Sequence, residues 1–254
     1  VIHVAGTNGK GSVSNMLTSV LSAKGLKVGL YTSPHILDFR ERMRVVVPTA
    51  ESATYRLVSK EYVWEFMQQW RDTFDHLDMS FFEITTSMAL TWFARQKVDV
   101  VVLETGLGGR LDSTNIVNPV LSIITNIGLD HCDMLGETLP EIAFEKAGII
   151  KPGVPVIYDG HVEDAAKVIK ARAEEMESAS YALKTEQYTL KTQSRDGIVF
   201  EFEGTELQIP YIAEYQMMNA SLAYFTMKTL QEEHGICDEK LKEGIKNVTW
   251  PGRM

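Results

Sequence analysis

The chain has almost no cysteine: Cys132 and Cys237 are the only two, far apart and without a second pair. That excludes a disulfide framework and a cysteine-based zinc site, and it suits a reducing compartment. No apolar run approaches the roughly 18–20 residues that a membrane helix needs, and no basic-then-apolar leader opens the chain. Positive charge is in deficit, with 25 Lys and Arg against 34 Asp and Glu for a net charge of −9. A surface of that sign repels nucleic acid and acidic membranes, so neither is expected as a partner, although a local basic pocket survives such a balance. Internal repeats and low-complexity segments are missing as well. What is there is 254 residues with 44% hydrophobic content, enough for a full core and consistent with a cytoplasmic monomer. Both ends look cut, since Val1 falls inside a strand pattern and the chain stops in turn chemistry after Trp250. The expectation is a piece of a longer protein, with 1–248 as a nucleotide-binding domain and 249–254 as the start of a linker.

The organising stretch is VIHVAGTNGKGS at residues 1–12. Val1, Ile2, Val4 and Ala5 read as a buried strand, Gly6, Thr7, Asn8, Gly9, Lys10 and Gly11 as a turn, and a helical pattern begins near Ser12. Strand, glycine-rich turn, lysine, hydroxyl and helix together suit a triphosphate. Backbone N–H groups close on phosphate oxygens, the helix N-terminus adds its positive dipole end, and Lys10 adds a point charge. The Ser12 hydroxyl suits magnesium. The strict G-x-x-x-x-G-K-[ST] spacing is not met, because Gly11 separates Lys10 from Ser12 and no glycine stands five places before Gly9.

Apolar periodicity predicts a helix over 12–24 closed by Gly25, a strand over 28–32, an amphipathic helix over 59–77 and another helix opened by a Ser80/Glu83 capping box. A β-branched run predicts a strand over 98–103 buried on both faces, and further strands fall over 120–125 and 155–158. Thr138 and Glu141 form a second capping box ahead of a helix carrying Lys146, and 163–177 reads as a charged outer helix. The rhythm over 181–211 changes to short alternating runs separated by Asp196-Gly197 and Glu203-Gly204, which predicts antiparallel hairpins at an edge of the sheet. Helices over 215–234 and 238–246 follow. The fold class expected is therefore α/β: a P-loop NTPase-like, mostly parallel sheet flanked by helices, with a small antiparallel β-rich edge.

Chemistry-bearing residues gather after strand ends, where ligands bind in open α/β sheets. Glu104 ends a central strand ahead of glycines, where a magnesium ligand would sit beside a phosphate loop; the blander reading is a capping or turn-stabilising carboxylate. His131 sits between Asp130 and Cys132 after the next strand, and with two rim carboxylates it offers a magnesium site. Phe81 and Phe82 suit either core packing or a flat aromatic ligand. Lys146, by position alone, reads as a solvated helix lysine.

The wording of these segments goes further. GTNGKGS, TSPH, SFFE, ETGLGGRLDSTN, NIGLDH, AFEKAGIIK, the Gln216–Asn219 pair and WPGR resemble the folylpolyglutamate synthase/dihydrofolate synthase branch of the Mur ligase superfamily, and the resemblance covers nearly the whole chain. It departs at Tyr215, where the family usually has histidine. The resemblance implies ATP with two magnesium ions, held by Ser33 and Glu104 and, for the second, His131. It implies nucleotide contacts from Asn219 beside Gln216, and from Arg253 on the phosphates. It places a phenylalanine near Phe81–Phe82 on the pteridine ring and Arg110 and Asp112 near the substrate, and makes Lys146 a carbamylated lysine. It also implies a C-terminal Rossmann-like domain that is absent here. The activity implied is ATP-dependent addition of L-glutamate to a folate or to dihydropteroate through an acyl phosphate. Three alternatives stay open: a cell-wall Mur ligase acting on a UDP-sugar peptide, a P-loop kinase, and a non-catalytic nucleotide-binding module. The Phe81–Phe82 pair and the LGGRLDSTN wording argue against the first.

Overall fold

The computed structural model describes residues 1–48, 53–230 and 238–249. In chain order the elements are β1 (Ile2–Ala5), α1 (Lys10–Ala23), β2 (Val28–Tyr31), β3 (Met43–Pro48), β4 (Ala53–Leu57), α2 (Lys60–His76), α3 (Phe81–Gln96) and β5 (Val100–Glu104). There follow β6 (Leu121–Ile124), the single turn α4 (Cys132–Leu135), α5 (Leu139–Ala147), β7 (Val156–Asp159), α6 (Glu163–Glu175) and β8 (Ser180–Leu183). The chain continues with β9 (Tyr188–Ser194), β10 (Gly197–Phe202), β11 (Thr205–Ile209), α7 (Tyr215–Thr229) and α8 (Asp238–Lys246).

Eight strands form one sheet in the order β4-β3-β2-β5-β1-β6-β7-β8. From β2 to β8 every pairing is parallel, while β3 and β4 add an antiparallel edge. The continuous apolar runs in the central strands follow from burial on both faces. Along them the period of two divides the side chains. Ile2, Val4, Leu30, Val102, Ile123 and Ile157 face a core built with α1, α7 and α8. Ala5, Ile124, Val156 and Tyr158 face α5 and α6, whereas Tyr31 and Leu103 face α2 and α3. Because the parallel strands share one direction, the segments after β1, β2, β5, β6 and β7 all leave along one rim.

The expected antiparallel edge exists, but at the opposite end of the sheet from the 181–211 segment. β9, β10 and β11 instead make a separate three-stranded sheet that packs Phe200, Phe202, Leu207 and Ile209 against the α1–α7 layer. Both predicted capping boxes are present: Ser80 Oγ accepts from Glu83 N at 3.3 Å, and Thr138 Oγ1 accepts from Glu141 N at 3.4 Å. Gly25 closes α1 at φ 94°. The stripe on α2 is less buried than its periodicity implies, since Phe66 and Phe74 reach the core while Trp70 and Leu77 stay exposed. α1 begins at Lys10, two residues before the expected start, and α7 is described as far as Thr229.

One buried histidine in β1 makes the fold acid-sensitive. His3 is fully buried and its Nε2 lies 2.8 Å from Thr114 Oγ1. Burial, helped by the charge of Lys151, holds its pKa down at about 3. The folded pKa lies below the unfolded one, so the stability is complete above about pH 6.5 and is lost as pH falls from there toward 3, where only the unfolded chain binds the proton. Denaturant titrations are expected to show a slope of up to about 1.4 kcal/mol per pH unit in that window. A His3→Gln variant is expected to lose that part of the slope; an unchanged slope would mean that other groups carry it.

Candidate active site

The turn after β1 is tied down by its neighbour after β6. Thr7 N donates to the Asn126 carbonyl at 2.8 Å, Thr7 Oγ1 bonds Gly128 through both donor and acceptor roles, and Thr125 Oγ1 donates to the Asn8 carbonyl at 2.5 Å. Gly9 opens α1 in the left-handed region at φ 83°, with no side-chain cap and no acidic residue in the first turn. The first N–H groups of α1 are thus not claimed by a capping side chain, as an anion site requires. A Cβ on Gly9 would stand 2.4 Å from Asn219 Oδ1, so glycine is needed for the approach as well as for the dihedral. Asn219 Nδ2 donates to Gln216 Oε1 at 2.9 Å, and Gln216 Nε2 donates to Ser12 Oγ at 3.3 Å. The expected Gln216–Asn219 pair therefore backs the glycine-rich loop directly.

Two lysines converge on this loop. Lys10 Nζ folds back to donate to the Gly6 and Thr7 carbonyls at 2.8 and 3.2 Å. Lys146, expected from its helix position to be solvated, is only 2% exposed and donates to the same Gly6 carbonyl at 3.0 Å. Burial first and Lys10 second pull its pKa down to about 8, against an opposing pull from the carboxylates of Asp130 and Asp112. A buried ammonium beside another lysine is an expensive arrangement.

On the other side of the loop, Glu104 ends β5 at 4% exposure, and its Oε2 accepts from Ser33 N at 3.3 Å. Ser33 precedes a cis proline, Pro34. Arg44, not singled out from the sequence, donates to Thr32 Oγ1 at 3.1 Å and lies within the field of Glu104. His131 stands exposed in left-handed backbone at φ 47°, with Nε2 3.6 Å from Asp130 Oδ1. Among the described residues no group of three His, Cys, Asp or Glu side chains is gathered to hold a metal. Magnesium does not need one, because it binds through one or two carboxylates and takes substrate phosphates and water for the rest. The Glu104 carboxylate, with Ser33 beside it, offers oxygen donors of that kind.

Two cavities bear on the site, one beside the loop and one under the segments that follow β2 and β5. One, of about 640 Å³, is lined by Asn8, Gly9, Ser12, Gln216 and Asn219 and extends over Asp159, His161, Tyr188 and Tyr215. The other, of about 310 Å³, is lined by Ser33, Pro34, Arg42, Phe82, Gly106, Leu107 and Asp112. The two phenylalanines part company here. Phe82 lines the second cavity and packs so closely on Gly106 that a Cβ there would lie 2.4 Å from the ring. Phe81 is exposed, with the Arg42 guanidinium 5.4 Å from its ring centroid. Asp112 borders the same cavity, yet its carboxylate is engaged by its own loop, accepting from Gly106 N, Leu107 N, Thr114 N and the Thr114 hydroxyl. Arg110 forms a forked pair with Glu145, at 2.9 Å for the closest bond, and lies over Phe144. Arg253 lies outside the described residues.

Comparison with known proteins places the whole chain beside one family. Residues 4–227 match the Mur ligase middle domain. A folylpolyglutamate synthase of Lacticaseibacillus casei is 36% identical over 100% of this chain and 61% of its own length. A dihydrofolate synthase/folylpolyglutamate synthase of Bacillus subtilis is 38% identical over 99% of this chain and 60% of its own length. The solved structure of an FPGS–AMPPCP–folate complex superposes with a TM-score of 0.86 at 33% identity, covering 99% of this chain and 63% of that one. The chain thus spans about three fifths of the length of these relatives. With one family matched from β1 almost to the end of α7, the chain belongs to the Mur ligase middle-domain family.

Proposed function

We propose that the protein is an ATP-dependent amide ligase that joins L-glutamate to a folate, to dihydropteroate or to both. The observation that carries this reading is Lys146, buried on the Gly6 carbonyl beside Lys10. A second cation, this one buried, adds little to a site that already has Lys10, and its burial makes sense if its charge is changed in the working enzyme. With a pKa of about 8, roughly a tenth of the amine is neutral at pH 7. Neutral amine adds CO₂, releases a proton and becomes a carbamate anion, which turns Lys146 from a group that repels cations into one that anchors them.

The relatives support the rest of the reading: their names give folylpolyglutamate and dihydrofolate synthesis, and one related structure holds AMPPCP and folate. Here Lys10, the first N–H groups of α1 and Asn219 would bind the triphosphate and its nucleoside. Glu104, Ser33, Ser12 and His131 would hold magnesium, which supplies neutralisation of phosphate charge when bound. Phe82 and the Asp112-ordered loop would shape the pterin cavity, with Phe81 and Arg110 at its margin. The γ-phosphoryl passes to the acceptor carboxylate, the glutamate amine displaces phosphate from that acyl phosphate, and the amine proton leaves to solvent. No protein nucleophile is required, since positioning and charge neutralisation carry such a transfer. Residues 1–248 form the nucleotide-binding unit in this proposal, Arg253 closes on phosphates from the following linker, and the cytosol is the compartment.

ADP release is the test, measured with Mg-ATP and glutamate in the presence of tetrahydrofolate, of dihydropteroate or of neither. Release that requires a pteroyl acceptor is expected. Release without acceptor would make the protein a kinase or hydrolase, and release only with a UDP-sugar peptide would make it a cell-wall ligase.

A further inference from the structure

The larger cavity holds a side-chain pair that the nucleotide reading has not used. β7 ends on the ligand-bearing rim at Asp159, whose side chain is only 6% exposed. Its Oδ1 accepts twice from the same residue, from the backbone N of His161 at 3.1 Å and from the ring Nδ1 at 2.7 Å. A carboxylate oxygen can only accept, so in the neutral ring the proton is fixed on Nδ1 and a lone pair is left on Nε2. Among the described residues Nε2 has no partner, and the imidazole is 43% exposed at the cavity wall. Around it stand Tyr188, Tyr215 and Met218, flat or pliable surfaces suited to a heterocyclic base, and the same cavity reaches Asn8, Gly9 and Ser12 of the phosphate loop.

The geometry points to His161 as the residue that selects adenine over guanine, with Asp159 as its positioning residue. This rests on the nucleotide-binding reading of the phosphate loop. An acceptor nitrogen at the base end of the cavity favours the exocyclic amine of adenine, which donates. Guanine presents an oxygen at that place, and two acceptors would face each other with neither hydrogen-bonded. Two acceptors left facing each other forfeit the hydrogen bond on both sides, and that loss is what disfavours guanine. Asp159 acts through tautomer control: without its carboxylate, Nδ1 can lose the proton and Nε2 can become the donor.

Calorimetric titration with three non-hydrolysable β,γ-methylene triphosphates tests this, those of adenosine, guanosine and purine riboside, the last lacking the amine. Wild-type protein is expected to bind the adenosine compound about three- to tenfold more tightly than the purine riboside compound, the range of one neutral hydrogen bond. In His161→Ala that ratio is expected to fall to about one while affinity for the purine riboside compound holds. Asp159→Asn is expected to narrow the adenosine-to-guanosine ratio, because a carboxamide can present its N–H₂ to Nδ1. Lys10→Ala is expected to weaken all three compounds alike and leave the ratios intact. An undiminished ratio in His161→Ala would overturn the base-selecting role and leave the phosphate loop untouched. Wild-type protein that binds none of the three would overturn the nucleotide reading itself.

Discussion

A Lys146→Ala variant is expected to lose turnover by on the order of a hundred- to a thousandfold while remaining folded. The side chain lies on the Gly6 carbonyl and in the fields of Lys10, Asp130 and Asp112, so it touches the glycine-rich strand-to-helix turn to which the proposed function assigns the phosphates. The loss separates from stability through the sign of its pKa shift. The folded pKa of about 8 lies below that of a free lysine, so the buried charge costs stability at all pH values below 8, and the cost disappears as pH rises from there to about 10.5. Lys146→Met, close in volume and uncharged, is therefore expected to unfold at equal or higher denaturant than wild type at pH 7. The gain expected is on the order of 1–2 kcal/mol after the lost hydrogen bond is subtracted, in a protein that no longer turns over. Carbon-13 bicarbonate gives the direct readout. A carbamate resonance should grow as pH rises through about 8 and be missing from Lys146→Ala. Full activity of Lys146→Ala in CO₂-depleted buffer would remove the carbamate from the mechanism.

Gly9→Ala is the second large effect. The added Cβ meets two penalties at once, a φ of 83° and an Asn219 oxygen 2.4 Å away. The dihedral alone costs about 1–2 kcal/mol. Asn219 cannot swing aside freely, being buried and bonded to Gln216, which in turn bonds Ser12. Nucleotide affinity is expected to fall by about five- to thirtyfold, the range that a shift of one to two kcal/mol in the loop's bound geometry gives. Gly25→Ala is the control. Its φ is 94° but nothing lies within 4 Å of a Cβ there, so it should lower the melting temperature with no change in nucleotide affinity. Equal affinity losses in both variants would mean that the effect is global.

What the sequence made legible was local. α1 with its Gly25 closure, the two capping boxes and the buried central strands all follow from spacing and residue type over a dozen positions. β3 and β4 were not foreseen, because their membership of the sheet depends on pairing with β2 rather than on their own pattern. The same holds for β9–β11, whose alternation marks hairpins but carries no signal of which sheet they join. In the site, the phosphate loop was readable because one segment supplies strand, turn, lysine and helix. Lys146 was not readable from periodicity, since its burial is imposed by the β1 turn, 140 positions away at Gly6. Asp112 shows the converse: it borders the cavity lined by Ser33 and Phe82, and its four hydrogen bonds make it a loop organiser, a role its motif did not announce. Asp159 and His161 carry no motif, and only the closing of β7 onto the rim brings them to the cavity shared with Gly9, Ser12 and Asn219.

Ligation through an acyl phosphate is tested most directly by the fate of a carboxylate oxygen. The pteroyl acceptor is labelled with oxygen-18 in the reacting carboxyl group, and the inorganic phosphate formed with Mg-ATP and glutamate is analysed by phosphorus NMR. One labelled oxygen in phosphate for each amide formed is the expected result, because the carboxylate oxygen that attacks the γ-phosphorus leaves with it. Amide formed with unlabelled phosphate would contradict the acyl phosphate, and labelled acceptor recovered unchanged beside ADP would contradict ligation altogether.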